Sequence, residues 1–359
     1  MNPPAPGARL RVDEFDYKLP EAAIAQLPAE PRDAARLLVL DRVASRPGRP
    51  EVAHRVFREL GELLRPGDLL VVNDSRVIPA RLQATRTQGG AAEILVLRPF
   101  EGSPDSWEAL VRPSRRIRVG ESLTLLNGEC VEVGERLAAG TRAVRFQRDP
   151  LAVMAQAGET PLPPYIHDHS TPAERYQTVY AVRPGSAAAP TAGLHFTPEL
   201  LDGLVAAGVG RATVTLHVGL DTFRPLEGHF IDEHRIHREW YEIPPATRAA
   251  IAETRHAGGR VVAVGTTSVR VLETAAHGGA TGWTDLYIMP PHRFEAVDAL
   301  ITNFHLPRSS LLVLVTAFVQ AGIPAATALD ARDTMLAAYR TAISAGYRFF
   351  SFGDAMFIA

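Results

Sequence analysis

Four short apolar runs in this sequence each end in residues that can bind, polarise or carry protons. Leu69–Val72 leads into Asn73, Asp74, Ser75 and Arg76, and Thr213–Leu216 into His217, Gly219 and Thr222. Val261–Val264 leads into Gly265, Thr266, Thr267, Ser268 and Arg270, and Ala299–Thr302 into Asn303 and His305. In open α/β sheets ligands bind beyond the carboxyl ends of the strands, and packing alone asks for no such set of polar groups there. At the third of these ends a glycine would close the strand. Hydroxyl residues would then cap a helix whose free N–H groups attract carboxylates or phosphates, although a plain helix cap uses the same residue types.

Histidines concentrate in HFIDEHRIHREWYEIP, where His234, His237 and Glu239 form HxxHxE with His229 upstream. Three uses fit that spacing: zinc or iron ligation, acid–base work near neutral pH, or hydrogen bonding within a connecting loop. Residues 185–197, GSAAAPTAGLHFT, form a small-residue run containing Thr191 and Gly193 and reaching His195. Small residues let a backbone approach a ligand closely, and the same composition suits a mobile lid.

Composition narrows the chemistry. The chain has 359 residues, 46% of them hydrophobic and 22% charged, with a formal net charge of -2. It is globular in composition and long enough for about two domains. The single cysteine, Cys130, excludes a disulfide framework, Cys-based zinc sites and iron–sulfur clusters. Lys18 is the only lysine among 38 basic residues, which excludes a P-loop and leaves no Schiff-base lysine. GxGxxG is absent, so a standard dinucleotide site is not expected. The opening MNPPAPGARL reads as a loose tail and not as a signal peptide. The apolar stretch Leu311–Val319 falls well short of the roughly 20 residues of a membrane span.

The pattern along the chain predicts the elements that must position these groups. Leu37–Leu40 and Leu69–Val72 flank a helical stretch at Phe57–Leu64, an α/β unit. From about Val77 to Asp149 short strand-like pieces (AEILVLRP, WEALVRP, ESLTLL, TRAVRFQ) predict a small barrel or compact sheet. From Pro198 onward helices (PELLDGLVAAG, PATRAAIAETRHAG, TTSVRVLETAAH, RSSLLVLVTAFVQAG, DARDTMLAAYRTAI) alternate with strands (ATVTLHV, RVVAVG, TDLYIM, VDALIT, DAMFI). The expected architecture is α/β: a mainly parallel sheet flanked by helices, formed by residues 1–76 and 151–359, with a small β-barrel-like domain inserted at 77–150. Residues 76–150 hold 12 arginines against 9 acidic residues. Within them Arg112, Arg115, Arg116 and Arg118 cluster in VRPSRRIRVG, as a phosphate-tracking patch or as a solvated turn.

Taken in order, the segments DEFDYKLPEAAIAQLP, RDAARLLVLDR, GDLLVVNDSRVIPARL, RYQTVYA, APTAGLHFTPELL, LHVGLDTFRP, HRIHREWYEIP, AVGTTSVRVLE, VDALITNFHLPRSSLLVLVTAF and YRFFSFGDAMFI resemble the S-adenosylmethionine:tRNA ribosyltransferase-isomerases of queuosine biosynthesis, from about Phe15 to the C-terminus. The resemblance implies transfer of the ribosyl part of S-adenosylmethionine to a 7-aminomethyl-7-deazaguanine in the wobble position of tRNA. The ribose rearranges to an epoxycyclopentane, giving epoxyqueuosine-tRNA and releasing adenine and methionine. It also implies an α/β domain with a smaller barrel-like one, no metal, no cofactor, and S-adenosylmethionine as a consumed substrate. A cytoplasmic monomer with no membrane contact is expected. Metal-dependent hydrolysis through His234, His237 and Glu239, or RNA binding without chemistry, are the readings that compete with it.

On this resemblance His217, His234, His237 and His305 form the acid–base pool, with Asp74 and Glu239 as orienting or polarising partners. The substrate-binding set is Asn73, Arg76, Thr191, Gly193, His195, Thr222, Gly265, Thr266, Thr267, Ser268, Arg270, Asn303 and Arg308. The sequence departs from the family pattern at Asp221 (a glycine elsewhere), Pro291-His292 (Gly-Tyr) and Arg308 (lysine), and more mildly at Ala35 and Ser75. Arginine at 308 suits a role through positive charge and not as an amine nucleophile. With tRNA as substrate the four clustered arginines become phosphate-binding groups. Replacing them by glutamate is expected to weaken tRNA binding and to flatten its log–log salt dependence by about 0.9 for each phosphate no longer neutralised, measured by filter binding across a salt series.

Overall fold

The computed structural model describes residues 9–100, 102–137, 140–219 and 225–359. After the N-terminal segment, β1 (Arg36–Arg46) turns at Gly48 into β2 (Arg49–Val56). The helical stretch expected at Phe57–Leu64 is a 3-10 helix over Phe57–Glu62. Next come β3 (Leu69–Asn73) and β4 (Ser75–Val77).

The insert follows as β5 (Arg81–Arg86), β6 (Ala91–Phe100), β7 (Ser103–Arg112), β8 (Glu121–Leu125), β9 (Cys130–Arg136) and β10 (Arg142–Phe146). These six antiparallel strands form a barrel, closed where β5 pairs with β8. Its interior shows the period of two expected of strands: Ala92, Ile94 and Val96 of β6 and Trp107, Ala109 and Val111 of β7 face inward. Helix α1 (Pro150–Ala157), capped by Asp149, adds Val153 and Met154 to the same core. β11 (Gly158–Glu159) then pairs with β5.

The remaining elements are β12 (Arg183–Ser186), α2 (Pro198–Ala206), β13 (Gly210–Leu216), β14 (Glu239–Glu242), α3 (Pro245–His256), β15 (Val261–Val264), α4 (Thr266–His277), β16 (Thr281–Thr284), β17 (Ala299–Asn303), α5 (Ser310–Gln320), α6 (Ala328–Ser344) and β18 (Ala355–Ile358). Nine strands form the main sheet in the order β16-β14-β13-β3-β15-β17-β18-β1-β2. Its centre, β13-β3-β15-β17, is parallel. These strands are covered on both faces, which is why they read as unbroken apolar runs. Leu69 and Val71 of β3 join the core formed with α4, α5 and α6. Leu70 and Val72 join the opposite core with Phe57, Phe196, Leu201 and Leu204.

The sheet is mixed, which corrects the expectation of a mainly parallel one. β2 returns on β1 by a hairpin, β14 and β16 add antiparallel strands at the other edge, and β18 runs antiparallel to β17 although parallel to β1. The strand expected at TDLYIM is also absent beyond Thr284. Leu286 gives its N–H to the Thr284 hydroxyl and its carbonyl to Arg270, so its backbone is not offered to a neighbouring strand. Among the described residues no helix is long and apolar enough to cross a membrane.

At the end of the sheet where β3 and β15 begin, Asp68 is 2% exposed and accepts from the Arg260 guanidinium at 2.6 Å and from the N–H groups of Arg65 and Arg260. Burial works to raise its pKa, yet hydrogen bonds from Arg260 and Arg65 hold it below the ordinary carboxylate value. Its contribution to stability is therefore present above about pH 4 and lost as the pH falls through the lower folded-state pKa. Asp68→Asn is expected to cost about 2 kcal/mol or more in urea unfolding at pH 7 while leaving kcat unchanged, because Asp68 lies at the end of the sheet away from the polar strand ends.

Candidate active site

Asn73, at the end of β3, is completely buried. Its amide Nδ2 donates to the Leu216 carbonyl at 3.0 Å and lies 3.4 Å from Thr267 Oγ1, while Oδ1 accepts from the N–H groups of Leu216 and Ser75, each at 3.1 Å. It thus joins the ends of β3 and β13 to the start of α4. Asn303, at the end of β17, accepts from Thr191 Oγ1 at 3.1 Å, and its Nδ2 lies 3.1 Å from His195 Nε2. Gly265 enters α4 with φ of 87°, a backbone conformation open to glycine. Ser268 is turned inward, its hydroxyl bonded to the Val264 carbonyl. Thr191, Gly265, Thr266, Thr267, Asn303 and His305 line one small cavity of about 60 Å³.

A larger cavity of about 310 Å³ opens between the barrel and the main sheet, within the size range of ligand pockets. His217, Gly219, His234, His237, Glu239 and Arg270 line it from the sheet side, together with Trp240, Trp283 and Tyr287. Leu97, Arg98, Glu108, Leu110 and Thr141 line it from the barrel. Leu311 borders both cavities, and consecutive residues Val218 and Gly219 each border one, so the two are neighbours. Arg98 spans the larger cleft: its guanidinium donates to Glu108 at 2.7 Å and to the Arg238 carbonyl at 3.1 Å, and lies 5.6 Å from the Trp283 ring centre.

The electrostatics of the cleft rest on Glu239 and Arg270, both buried. One Glu239 oxygen pairs with Arg270 Nη1 and the other accepts from the Gly219 N–H at 2.8 Å, while Arg270 Nε donates to the Leu286 carbonyl at 3.0 Å. With both oxygens engaged, Glu239 is poorly placed as a metal ligand, and among the described residues no three His, Cys, Asp or Glu side chains gather as a metal cage. His217 stacks on Trp240, ring centres 5.2 Å apart, with Nδ1 2.8 Å from Ser75 Oγ. Gly185 lies against the same imidazole, where a Cβ would come within 2.6 Å of Nε2. Burial pushes His217 down to about 4, with Arg183 adding to the effect. His195, by burial and then by Arg348 and Arg32, and His305, by burial, fall to about 3. All three are neutral at pH 7.

Other candidates lie apart. Asp74 borders neither cavity: its carboxylate accepts from Thr215 Oγ1 at 2.6 Å and its carbonyl receives the N–H groups of Val182 and Arg183. Arg76 forms an exposed pair with Glu174. Arg308, half-exposed with φ of 51°, lies 3.6 Å from the Asp16 carboxylate. His305, which does line the small cavity, has both ring nitrogens near hydroxyls, Thr302 and Tyr339, each at 3.2 Å. Gly193 packs against Tyr180 and Thr178. Thr222 and Asp221 fall outside the described residues. His292 sits 3.6 Å from the buried Glu273 carboxylate.

The side chains of Arg112, Arg115, Arg116 and Arg118 are exposed around the turn after β7, whose Ser114, Arg116 and Ile117 carbonyls are held by Arg142 and Arg86. Glu108, Leu110 and Arg112 alternate along one outer face of β7, so Arg112 shares a face with two residues that line the cleft. Sequence reasoning missed Trp240, Trp283, Tyr287 and the barrel residues of the cleft. The tryptophans were visible as rare aromatics in a histidine-rich stretch and beside TDLYIM.

A family model described as "Queuosine biosynthesis protein" matches residues 12–358. Proteins named S-adenosylmethionine:tRNA ribosyltransferase-isomerase from Gloeobacter violaceus and Thermotoga maritima are 50% and 49% identical. Those alignments cover 100% and 97% of this chain and 98% and 100% of theirs. The crystal structure of an S-adenosylmethionine tRNA ribosyltransferase from Thermotoga maritima is 41% identical, with a TM-score of 0.55 over 96% of this chain and 100% of that one.

Three neutral histidines, His195 and His305 buried and His217 partly so, also make a pH prediction. Their folded pKa values lie below the unfolded value near 6.5, so the unfolded chain binds more protons as pH falls. Their contribution is full above about pH 6.5 and declines toward pH 4, by about 2 kcal/mol per histidine at pH 5. Thermal unfolding from pH 7.5 to 4.5 is expected to show that fall, and His195→Asn to make it shallower.

Proposed function

This chain belongs to the queuosine biosynthesis protein family, and on that premise we propose that it transfers and isomerises the ribosyl group of S-adenosylmethionine onto 7-aminomethyl-7-deazaguanine at the wobble position of tRNA, in the cleft between barrel and sheet. The observation that carries this reading is the meeting of His217, His234, His237, Glu239 and Arg270 with Trp240 and Trp283 in one cavity, and strand β7 of its barrel wall ends at the exposed Arg112. The product is epoxyqueuosine-tRNA, and adenine and methionine leave. S-adenosylmethionine is consumed, no further cofactor takes part, and the enzyme works as a monomer in the cytoplasm.

The positive sulfur acidifies the adjacent ribose carbon and makes methionine a neutral leaving group. The protein must supply a base for that proton and a donor for departing adenine. His217, held neutral by burial and fixed through Nδ1 by Ser75, keeps a ring nitrogen able to accept a proton. His234 and His237 serve adenine departure from the cleft wall. Tryptophan faces attract a sulfonium, and an unstacked anticodon base finds stacking partners among the same rings. Thr191, Thr267 and Asn303 position the nucleoside from the smaller cavity, and the arginines of the barrel turn meet tRNA phosphates.

Incubation with S-adenosylmethionine and precursor tRNA is expected to release adenine and methionine in equal amounts, unchanged by chelator. His217→Ala should lower kcat by about 100-fold with S-adenosylmethionine still bound. Absence of both products from the wild-type reaction would reject this reading, and loss of activity in chelator would favour a metal hydrolase.

A further inference from the structure

Among the described residues, two that line the larger cavity each carry a buried hydrogen-bond donor without a partner: Arg270 Nη2 and the Tyr287 hydroxyl. Arg270 is only 5% exposed, and its other nitrogens are engaged, Nη1 by Glu239 and Nε by the Leu286 carbonyl. Burial raises the Tyr287 pKa, so the phenol keeps its proton and donates. Its ring meets that of His234 edge to face, ring centres 5.6 Å apart. Since Arg270 holds the backbone of Leu286, the residue before Tyr287, the two donors stand on one scaffold. Buried N–H and O–H groups without partners are costly and uncommon, and here both belong to residues that line a cavity large enough for a ligand.

Charge decides what kind of acceptor they await. Arg270 is already neutralised by Glu239, whose second oxygen is taken by Gly219. A carboxylate would leave this buried, partly apolar cluster with a net negative charge. A neutral acceptor adds none. Two separate donors match a carbonyl oxygen, which has two lone pairs and no hydrogen of its own, better than a ring nitrogen, which has one lone pair, or a hydroxyl, whose hydrogen would need an acceptor while both Glu239 oxygens are already engaged. Resting on the reaction proposed above, the S-adenosylmethionine molecule offers a carboxylate, hydroxyls and adenine ring nitrogens, whereas the deazaguanine offers a lactam carbonyl. We propose that Arg270 Nη2 and the Tyr287 hydroxyl receive the carbonyl oxygen of the guanine-type base, and that Glu239 is the positioning residue that aims Arg270. An adenine-type base presents an amino group at that place and would leave both donors unpaired, so the pair selects the base as well as holding it.

The test compares Tyr287→Phe and Arg270→Lys with wild type in steady-state titrations of tRNA and of S-adenosylmethionine, with calorimetric binding of S-adenosylmethionine to each protein in the absence of tRNA. The expected result is a rise in KM for tRNA of about tenfold or more in each variant, with S-adenosylmethionine affinity within twofold of wild type, which also shows that the variants fold. Weakened S-adenosylmethionine binding with an unchanged KM for tRNA places the acceptor on the nucleoside and overturns the proposal. So does an unchanged KM for tRNA in Tyr287→Phe alone, since that variant keeps the Arg270–Glu239 pair. A wild-type protein that binds both substrates yet releases no adenine fails the functional reading itself, and the proposal falls with it.

Discussion

Asn73 uses both ends of its amide to tie β3 to the backbone of Leu216 on β13, and reaches Thr267 at the start of α4. Because it is wholly enclosed, an alternative partner would have to be protein and not water, and an unpaired amide there would be costly. The contact therefore fixes where neighbouring parallel strands stop relative to one another. That shared stopping line places His217, Gly265 and Asn303 around adjoining cavities. A shift of β13 by one residue would break both Leu216 bonds and turn its side chains to the opposite face.

The cleft beyond that line is built on a second constraint, the buried pairing of Glu239 and Arg270. Such a pair is tolerable only when remaining donors and acceptors are satisfied. Glu239 meets the condition through Gly219. Arg270 meets it only in part, through Leu286. The cleft thus combines a neutralised charge pair with an incomplete hydrogen-bond set, and its aromatic walls keep the local dielectric low, which strengthens any bond a substrate completes.

The strand ends were legible because a parallel strand covered on both faces must be apolar throughout, so its first polar residue marks its end. Asn73, His217, Gly265 and Asn303 all followed from that pattern. Asp74 and Arg76 stand at the same end as Asn73, but adjacent strand residues face opposite ways: Asp74 turns toward Thr215 and Arg76 toward Glu174. The mixed sheet was hidden because apolar runs carry no mark of direction, and β18 makes one parallel and one antiparallel pairing with the same four residues. The barrel side of the cleft was hidden for a different reason. Leu97, Arg98, Glu108 and Leu110 point outward from a closed barrel, and outward residues read from sequence as surface.

The placement of the insert resolves why such surface residues become a site wall. The chain leaves the main sheet at β3, crosses the polar strand end at Asn73, and enters the barrel after β4, so the barrel hangs from the strand ends themselves. Arg98 then fastens it, with Glu108 on its own barrel, the Arg238 carbonyl beside β14, and the Trp283 ring of β16 all within reach of one guanidinium. Lysine, with a single charged nitrogen, could not hold a carboxylate and a carbonyl in one plane while lying over an aromatic ring. In a chain that uses arginine for 37 of its 38 basic residues, this contact is one place where the choice has a geometric consequence: one planar side chain reaches across the cleft from the barrel to the sheet.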